Sequence, residues 1–290
     1  MKVLVFGSLN IDHVYRVPHL LRAGETLSSA AYQRNAGGKG LNQAIALARA
    51  GQRVSFAGCI GQDGIFLRDA LAEEGVDVSP VWVTDTPTGH AVIQLDDQGG
   101  NAILLYGGAN QCVSAEMMDK SLDGCERGDL VLVQNEISLM PEIIPAARKR
   151  GLQIALNPSP AVPAMRSWPL ELVDWLLLNE VEGQDLTGAS EPDEMLEKLL
   201  QRCPDCHVVL TLGADGAIYG DAHQRLRQEA IPVKAVDTTA AGDTFTGYFL
   251  HTVLSRGTPA QALSRAARAA AIAVGRPGAS ASIPRANEVE

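Results

Sequence analysis

The chain has 290 residues, 46% of them apolar, 4% aromatic and 20% charged, the balance of a globular protein with a mostly aliphatic core. Its formal net charge of −10 lacks the basic footprint of a nucleic-acid binder, and no polybasic stretch suits an anionic membrane. Five cysteines (Cys59, Cys112, Cys125, Cys203 and Cys206) do not read as a disulfide framework. With no apolar run of about 18 residues to cross a membrane, a reducing cytoplasm is the expected home.

The opening run is too short for a signal peptide and predicts a strand over Val3–Phe6. It ends in Gly7-Ser8-Leu9-Asn10-Ile11-Asp12, where Asn10 and Asp12 either hydrogen-bond a polyol or close the strand as a polar turn. Residues 12–33 look like strand without an intervening helix. Next comes Asn35-Ala36-Gly37-Gly38-Lys39-Gly40-Leu41-Asn42-Gln43-Ala44, a glycine-rich nest with a cation, leading into a helix over Leu41–Arg49. It is not a P-loop, because the glycine spacing differs and no Ser or Thr follows Lys39.

A strand at Val54–Ala57 and a helix at Leu67–Glu74 follow. Residues 88–106 again lack a helix: Gly89–Leu95 and Ala102–Tyr106 flank the polar turn Asp96-Asp97-Gln98-Gly99-Gly100, as a hairpin would. His90, after Thr88-Gly89, is expected to face the site; His13, His207, His223 and His251 show no metal-ligand spacing. Buried-strand runs recur at Leu130–Val133, Ile154–Leu156, Trp175–Leu178 and Val208–Leu212, with helical periodicity over Met140–Lys149 and Met195–Gln201. Alternating strands and helices predict a parallel sheet covered on both faces, with ligands beyond the carboxyl ends of the strands. No repeat or linker divides the chain, so residues 1–290 are expected to form one domain.

Asn179-Glu180-Val181-Glu182 follows the Trp175–Leu178 strand. Paired carboxylates there suit Mg²⁺, often through water, or the acidic first turn of a helix. Cys203-Pro204-Asp205-Cys206 has redox or metal spacing but no second pair. Thr211-Leu212-Gly213-Ala214-Asp215-Gly216 reads as a strand ending in a glycine turn on which a nucleotide could lie. A strand end at Val233–Val236 is expected to lead through Asp237-Thr238-Thr239-Ala240-Ala241-Gly242-Asp243-Thr244-Phe245 into a helix. The amides of Ala240 to Asp243 would then meet an anion at a helix N-terminus, with Asp243 able to take a proton from a hydroxyl beside it. Leu250–Val274 is an alanine-rich helical pair broken at Gly257-Thr258-Pro259, Thr258 capping and Pro259 opening the second helix.

In this order and spacing the motifs resemble the ribokinase-like (PfkB) carbohydrate kinases over nearly the whole chain. The resemblance also rests on Ile60-Gly61-Gln62-Asp63, Thr88-Gly89, Gly108-Ala109-Asn110, Glu136, Asn157-Pro158-Ser159-Pro160 and the tail Gly278-Ala279-Ser280-Ala281-Ser282. It implies a three-layer α/β/α fold with a small β-sheet lid, from about 12–33 and 88–106, often used for homodimerisation. It implies ATP-dependent phosphorylation of a sugar primary hydroxyl, D-ribose giving ribose 5-phosphate. The alternatives are 2-deoxyribose, a ketose or a nucleoside as acceptor, or a non-catalytic sensor; a nucleotide-dependent oxidoreductase lacks its G-x-G-x-x-G.

By resemblance Asp243 is the base, and Ala240, Ala241 and Gly242 form the anion hole. Asn10, Asp12, Gly38, Lys39, Asn42 and Glu136 hold the sugar. Asn179 and Thr211 to Gly216 (Leu212, Gly213, Ala214 and Asp215 between) hold ATP with Gly242, and Glu182 is linked to Mg²⁺. Asp237, Thr239, Ala273, Arg276, Gly278 and Ser282 match a monovalent-cation site, usually potassium. Three features depart from the family. Ala240 stands where glycine is usual, Ala267 offers adenine no side-chain hydrogen bond, and His90 and Gln94 stand in the lid where relatives are more apolar.

Overall fold

The computed structural model describes residues 1–98 and 100–290; Gly99, in the expected hairpin turn, lies outside the described residues. The elements run β1 (Val3–Phe6), β2 (Asn10–Arg16), β3 (Ala31–Gly37), α1 (Lys39–Ala50), β4 (Val54–Gly61), α2 (Ile65–Glu73), β5 (Val81–Thr84), β6 (Gly89–Leu95), β7 (Asn101–Tyr106) and α3 (Ala115–Asp123). They continue with β8 (Leu130–Gln134), α4 (Met140–Lys149), β9 (Gln153–Asn157), β10 (Trp175–Asn179), α5 (Glu180–Thr187), α6 (Pro192–Arg202) and β11 (His207–Thr211). The last are β12 (Ala217–Gly220), β13 (Arg225–Gln228), α7 (Ala241–Leu254), α8 (Pro259–Val274) and α9 (Ala286–Val289).

Nine strands form one sheet in the order β13-β12-β11-β10-β9-β8-β1-β4-β5. It is parallel except for the antiparallel pairs β11–β12 and β12–β13. The central strands are apolar on both faces because helices cover both. Leu4 and Phe6 point into the layer of α3 to α6, while Val3 and Val5 point into that of α1, α2, α7 and α8. Strand β1 carries the switch point, with β4 on one side and β8 on the other. The chain leaving β1 and that leaving β8 therefore part there and open a crevice at the strands' carboxyl ends.

The helix-poor segments form a second sheet, β3-β2-β6-β7. Its strands start earlier and end later than 12–33 suggests: Asn10 already lies in β2, and β3 runs to Gly37. So Asn10 and Asp12 sit on a strand, on one face of it, rather than in a turn closing β1. Residues 233–236 are not a strand. They form an exposed coil whose Val236 N–H donates to the Val274 carbonyl of α8 at 2.9 Å, so this segment follows the helix and not the sheet. The helical pair is as expected, with α7 reaching back to Ala241. The Thr258 hydroxyl accepts from Gln261 N at 3.3 Å while Gln261 Oε1 accepts from Thr258 N at 2.9 Å, a capping box ahead of Pro259.

Candidate active site

A cavity of about 200 Å³ opens where β10, β11 and α7 converge, lined by Lys39, Asn179, Glu182, Thr211, Gly242 and Asp243 among others. Helix α7 aims its N-terminus at it. The Ala241 amide donates to the Thr238 carbonyl at 3.2 Å. The amides of Gly242 and Asp243 meet no acceptor among the described residues, as first-turn amides do. A Cβ added at Gly242 would touch nothing within 4 Å, so glycine there keeps the space before the helix open.

Asp243 is 8% exposed. Its Oδ2 accepts from Asn42 Nδ2 at 3.1 Å and its Oδ1 from Gln43 Nε2 at 2.8 Å. Both donors come from the first turn of α1, which the nest places there. Gly38 has φ 98, and a Cβ on it would lie 2.9 Å from the Ser8 carbonyl, so glycine is the residue that fits. This close approach brings the Lys39 N–H to donate to Glu136 Oε2 at 3.1 Å, and the Ser8 hydroxyl donates to the same oxygen. Burial opposes the Lys39 ammonium, but facing carboxylates on Asp243, Glu136 and Glu182 hold it above its ordinary value. Burial pushes Glu136 up, against the Ser8 hydroxyl and Lys39, which favour its ionised form.

Asp12 accepts no hydrogen bond among the described residues, and its carboxyl is pushed up to about 7 by burial and by the neighbouring Glu136 carboxylate. A Cβ on Gly37 would lie 2.0 Å from Asp12 Oδ2, so that glycine makes room for the carboxyl. Asn10 Oδ1 accepts from Asn110 Nδ2 at 2.7 Å. The amide of Asn110 is itself fixed, its Oδ1 accepting from Leu9 N at 3.0 Å. The fixed Asn10 amide and the unpartnered Asp12 carboxyl stand side by side on β2, the kind of groups that suit a polyol.

Register settles the lid. Asp12 pairs with Ala91, and Ile11 with His90. His90 and Gln94 therefore lie on the face opposite Asp12. There His90 packs against His13 and Tyr106, with ring centroids 5.7 and 5.0 Å apart, and Gln94 accepts from Leu21 N at 2.8 Å. His90 does not face the site. The Asp12 face carries Ala91 and Ile93 instead, so the lid over it is apolar.

Asn179 and Glu182 close on each other. Glu182 Oε2 accepts from Asn179 N at 2.9 Å, and Asn179 Oδ1 accepts from Glu182 N at 3.0 Å, capping α5. The acidic-first-turn reading holds, and both residues also line the cavity. Thr211 reaches the cavity with its hydroxyl on the Leu178 carbonyl at 3.3 Å. Leu212 is buried in the core, leaving only its backbone for a ligand, and Gly213, Ala214 and Asp215 are exposed beyond the cavity, with Gly216 at their end. Ala267, on α8, is buried in the core.

Asp237 ties two loops together, its Oδ1 accepting from Thr239 N and its Oδ2 from Gly278 N, each at 2.9 Å. Burial opposes its charge, but these donors outweigh it and keep the carboxyl below its ordinary value. Both carboxylate oxygens are thus taken up by backbone N–H groups of the two loops. Of the other expected ligands, the Ala273 carbonyl accepts from Arg276 N at 3.0 Å, the Arg276 side chain pairs with Glu288 at 2.6 Å and the Ser282 hydroxyl donates to the Ala279 carbonyl at 2.8 Å, so Arg276 and Ser282 could serve a cation through their backbone carbonyls.

Gln43, Asn157, Gln134 and Thr238 were not among the expected site residues. Gln43 follows Asn42 in the same motif, and an acceptor-rich strand end at Asn157 was the other visible signal. Only tertiary contact joins them.

A family model described as pfkB family carbohydrate kinase matches residues 1–286. A Haemophilus influenzae protein named ribokinase is 37% identical over 295 residues, covering 98% of this chain and 95% of that one. A Salmonella typhimurium deoxyribokinase is 29% identical over 299 residues, covering 98% and 96%. Among solved structures, Arabidopsis thaliana ribokinase complexed with ribose and ATP superposes with a TM-score of 0.86 at 30% identity, covering 99% of this chain and 97% of that one. Ribokinase from Cryptococcus neoformans in complex with ADP gives 0.85 at 35% identity, covering 99% and 98%.

Two outcomes follow from the geometry. An acid raised on folding binds its proton more tightly folded than unfolded, so Asp12 makes stability fall as pH climbs from its ordinary 3.8 to about 7. Asp12→Asn is expected to gain stability over wild type by up to about 4 kcal/mol as pH rises across that window, at about 1.36 kcal/mol per pH unit; urea unfolding at pH 5 and pH 8 reads it, and an equal gap at both would refute it. Ala240 sits at φ 59, where an L side chain is strained. Ala240→Gly is expected to raise thermal stability by roughly 0.5–1 kcal/mol after the entropy gained by the unfolded chain.

Proposed function

The chain belongs to the pfkB family of carbohydrate kinases, and we propose that it transfers the γ-phosphoryl group of ATP to the primary hydroxyl of D-ribose, giving ribose 5-phosphate. The observation that carries this reading is the Asp243 carboxylate, held by two amides at the N-terminus of a helix whose next amides are open to the cavity. Asp12, Asn10 and Glu136 bind the sugar hydroxyls and turn one of them toward Asp243. Asp243 takes its proton as the hydroxyl attacks phosphorus in line. Gly242 and Asp243 amides and the Lys39 ammonium stabilise the charge on the transferred group.

ATP lies along Asn179 and the Thr211–Gly216 turn. Glu182, on the cavity wall, would hold Mg²⁺ through water, and the ion would neutralise phosphate charge. Potassium, placed near Asp237 by the family resemblance, would act by shaping the anion-hole loop. Five free thiols suit a reducing cytoplasm. The second reading is 2-deoxyribose, favoured by the likeness to the deoxyribokinase.

The lid supports a homodimer. Strand β7 is an open edge with Ile103, Leu104 and Leu105 exposed, Leu104 by 71%, and such an edge needs a cover. Ile103 and Leu105 share the face of Asp12 through Ile93 and Ala91, so a second copy lying there would also close the sugar site.

Asp243→Asn is expected to lose about 10²–10⁴-fold in kcat while still binding sugar and ATP by calorimetry. Turnover near wild type would remove Asp243 as the base. Wild type assayed for ADP release on ribose, 2-deoxyribose, fructose and nucleosides, with and without potassium, is expected to prefer ribose with the cation present. The double variant Ile103→Lys, Leu105→Lys is expected to run as a monomer in light scattering with a raised sugar KM; a dimer that survives it counts against the lid interface.

A further inference from the structure

We propose that Gln43 is a positioning residue for the phosphoryl-transfer step, aiming the Asp243 carboxylate through a chain of uncharged amides; this rests on the reading of Asp243 as the base. Gln43 is fully buried, at 0% exposed. Its Nε2 donates both to Asp243 Oδ1 at 2.8 Å and to Asn157 Oδ1 at 3.0 Å. Its Oε1 accepts from Gln134 Nε2 at 2.8 Å. Asn157 Nδ2 donates in turn to the Leu177 carbonyl at 2.8 Å.

The direction of every bond is fixed. A backbone carbonyl can only accept, so Asn157 must present its NH₂ to Leu177 and its oxygen to Gln43. Gln43 must then present NH₂ on that side, which is the side of Asp243. Gln134 donates to the remaining Gln43 oxygen and leaves its own Oε1 buried without a partner. That is a cost the fold accepts to hold Gln43 in one orientation. The amides come from the ends of β8 and β9, the carbonyl from β10 and Gln43 from α1, so the rigid sheet sets the carboxylate plane on α7.

With Asn42 on Oδ2 and Gln43 on Oδ1, each oxygen of this cavity-lining carboxylate keeps a lone pair to spare. The donors carry no charge, so they orient the base without neutralising it as a lysine or arginine would. An N–H donor bonds a carboxylate more strongly than it bonds a neutral carboxylic acid.

The test uses the full-length protein and four measurements per variant: kcat, the KM for sugar and ATP, the pH profile of kcat and the melting temperature. Gln43→Met keeps length and volume and removes the donor. It is expected to lower kcat about tenfold to a hundredfold, the size of one hydrogen bond to a charged group, with both KM values within about twofold and the acid limb of kcat moved to higher pH. Gln43→Glu, isosteric and set against Asp243, is expected to move that limb further through like-charge repulsion, and it serves if the methionine variant does not fold. Folded Gln43 variants that lose kcat equally at every pH, in step with melting temperature, mean a structural role and overturn the proposal. So do variants with wild-type kcat and acid limb while Asp243→Asn is inactive. Wild-type turnover in Asp243→Asn removes the base itself, and the proposal with it.

Discussion

One buried ammonium faces three carboxylates, and most of the site is a consequence. Lys39 stands among Asp243, Glu136 and Glu182, with Asp12 beside Glu136. Carboxylates outnumber the cation, so the crevice repels a bare triphosphate. Whatever brings phosphate in must add positive potential of another kind. The open amides at the start of α7 supply it from the protein, and a chelated divalent cation supplies it from the nucleotide. The acidic total charge of the chain points the same way: anion binding here depends on local geometry and not on the long-range field.

The same crowding explains the state of the sugar end. Asp12 and Glu136 both hold protons more tightly than usual because burial and mutual repulsion penalise two charges. Sugar hydroxyls can donate to such oxygens and so repay part of that penalty. On the proposed reading, a polyol donating to these oxygens relieves a penalty the fold already carries. Placing it requires a strand, β2, that belongs to the lid and yet begins two residues after the Gly7-Ser8 turn of the central sheet. The lid and the Asn10 and Asp12 side chains therefore belong to one element, and movement of either moves the other.

Much of this was legible from local pattern. Continuous apolar runs located β1, β8, β9, β10 and β11 to within a residue or two, because strands buried on both faces have no polar positions to confuse the reading. Thr258-Pro259 located the helix start because capping is local chemistry. Short antiparallel strands at β12 and β13 went unread, since four residues with polar members such as Arg225 and Gln228 carry too little pattern. Val233–Val236 looked like strand by its two valines, but its backbone is taken up by the end of α8, a tertiary contact that composition does not show. The orientation of His90 needed the parallel register of β2 with β6, between segments some 80 residues apart in sequence.

The amide chain was the least legible part, for a physical reason. Charged and glycine residues announce themselves because they are costly or unusual in ordinary positions. A glutamine on a helix is neither, and Gln43 meets Asp243 from 200 positions away. Its meaning comes only from burial. Exposed, its amide would trade water for carboxylate at little gain; at 0% exposure each of its donors and acceptors must be matched. The match can be made in only one sense because the chain ends on a backbone carbonyl. On the reading of Asp243 as the base, its carboxylate must point the same way in every turnover, and a chain anchored in the rigid sheet fixes that direction.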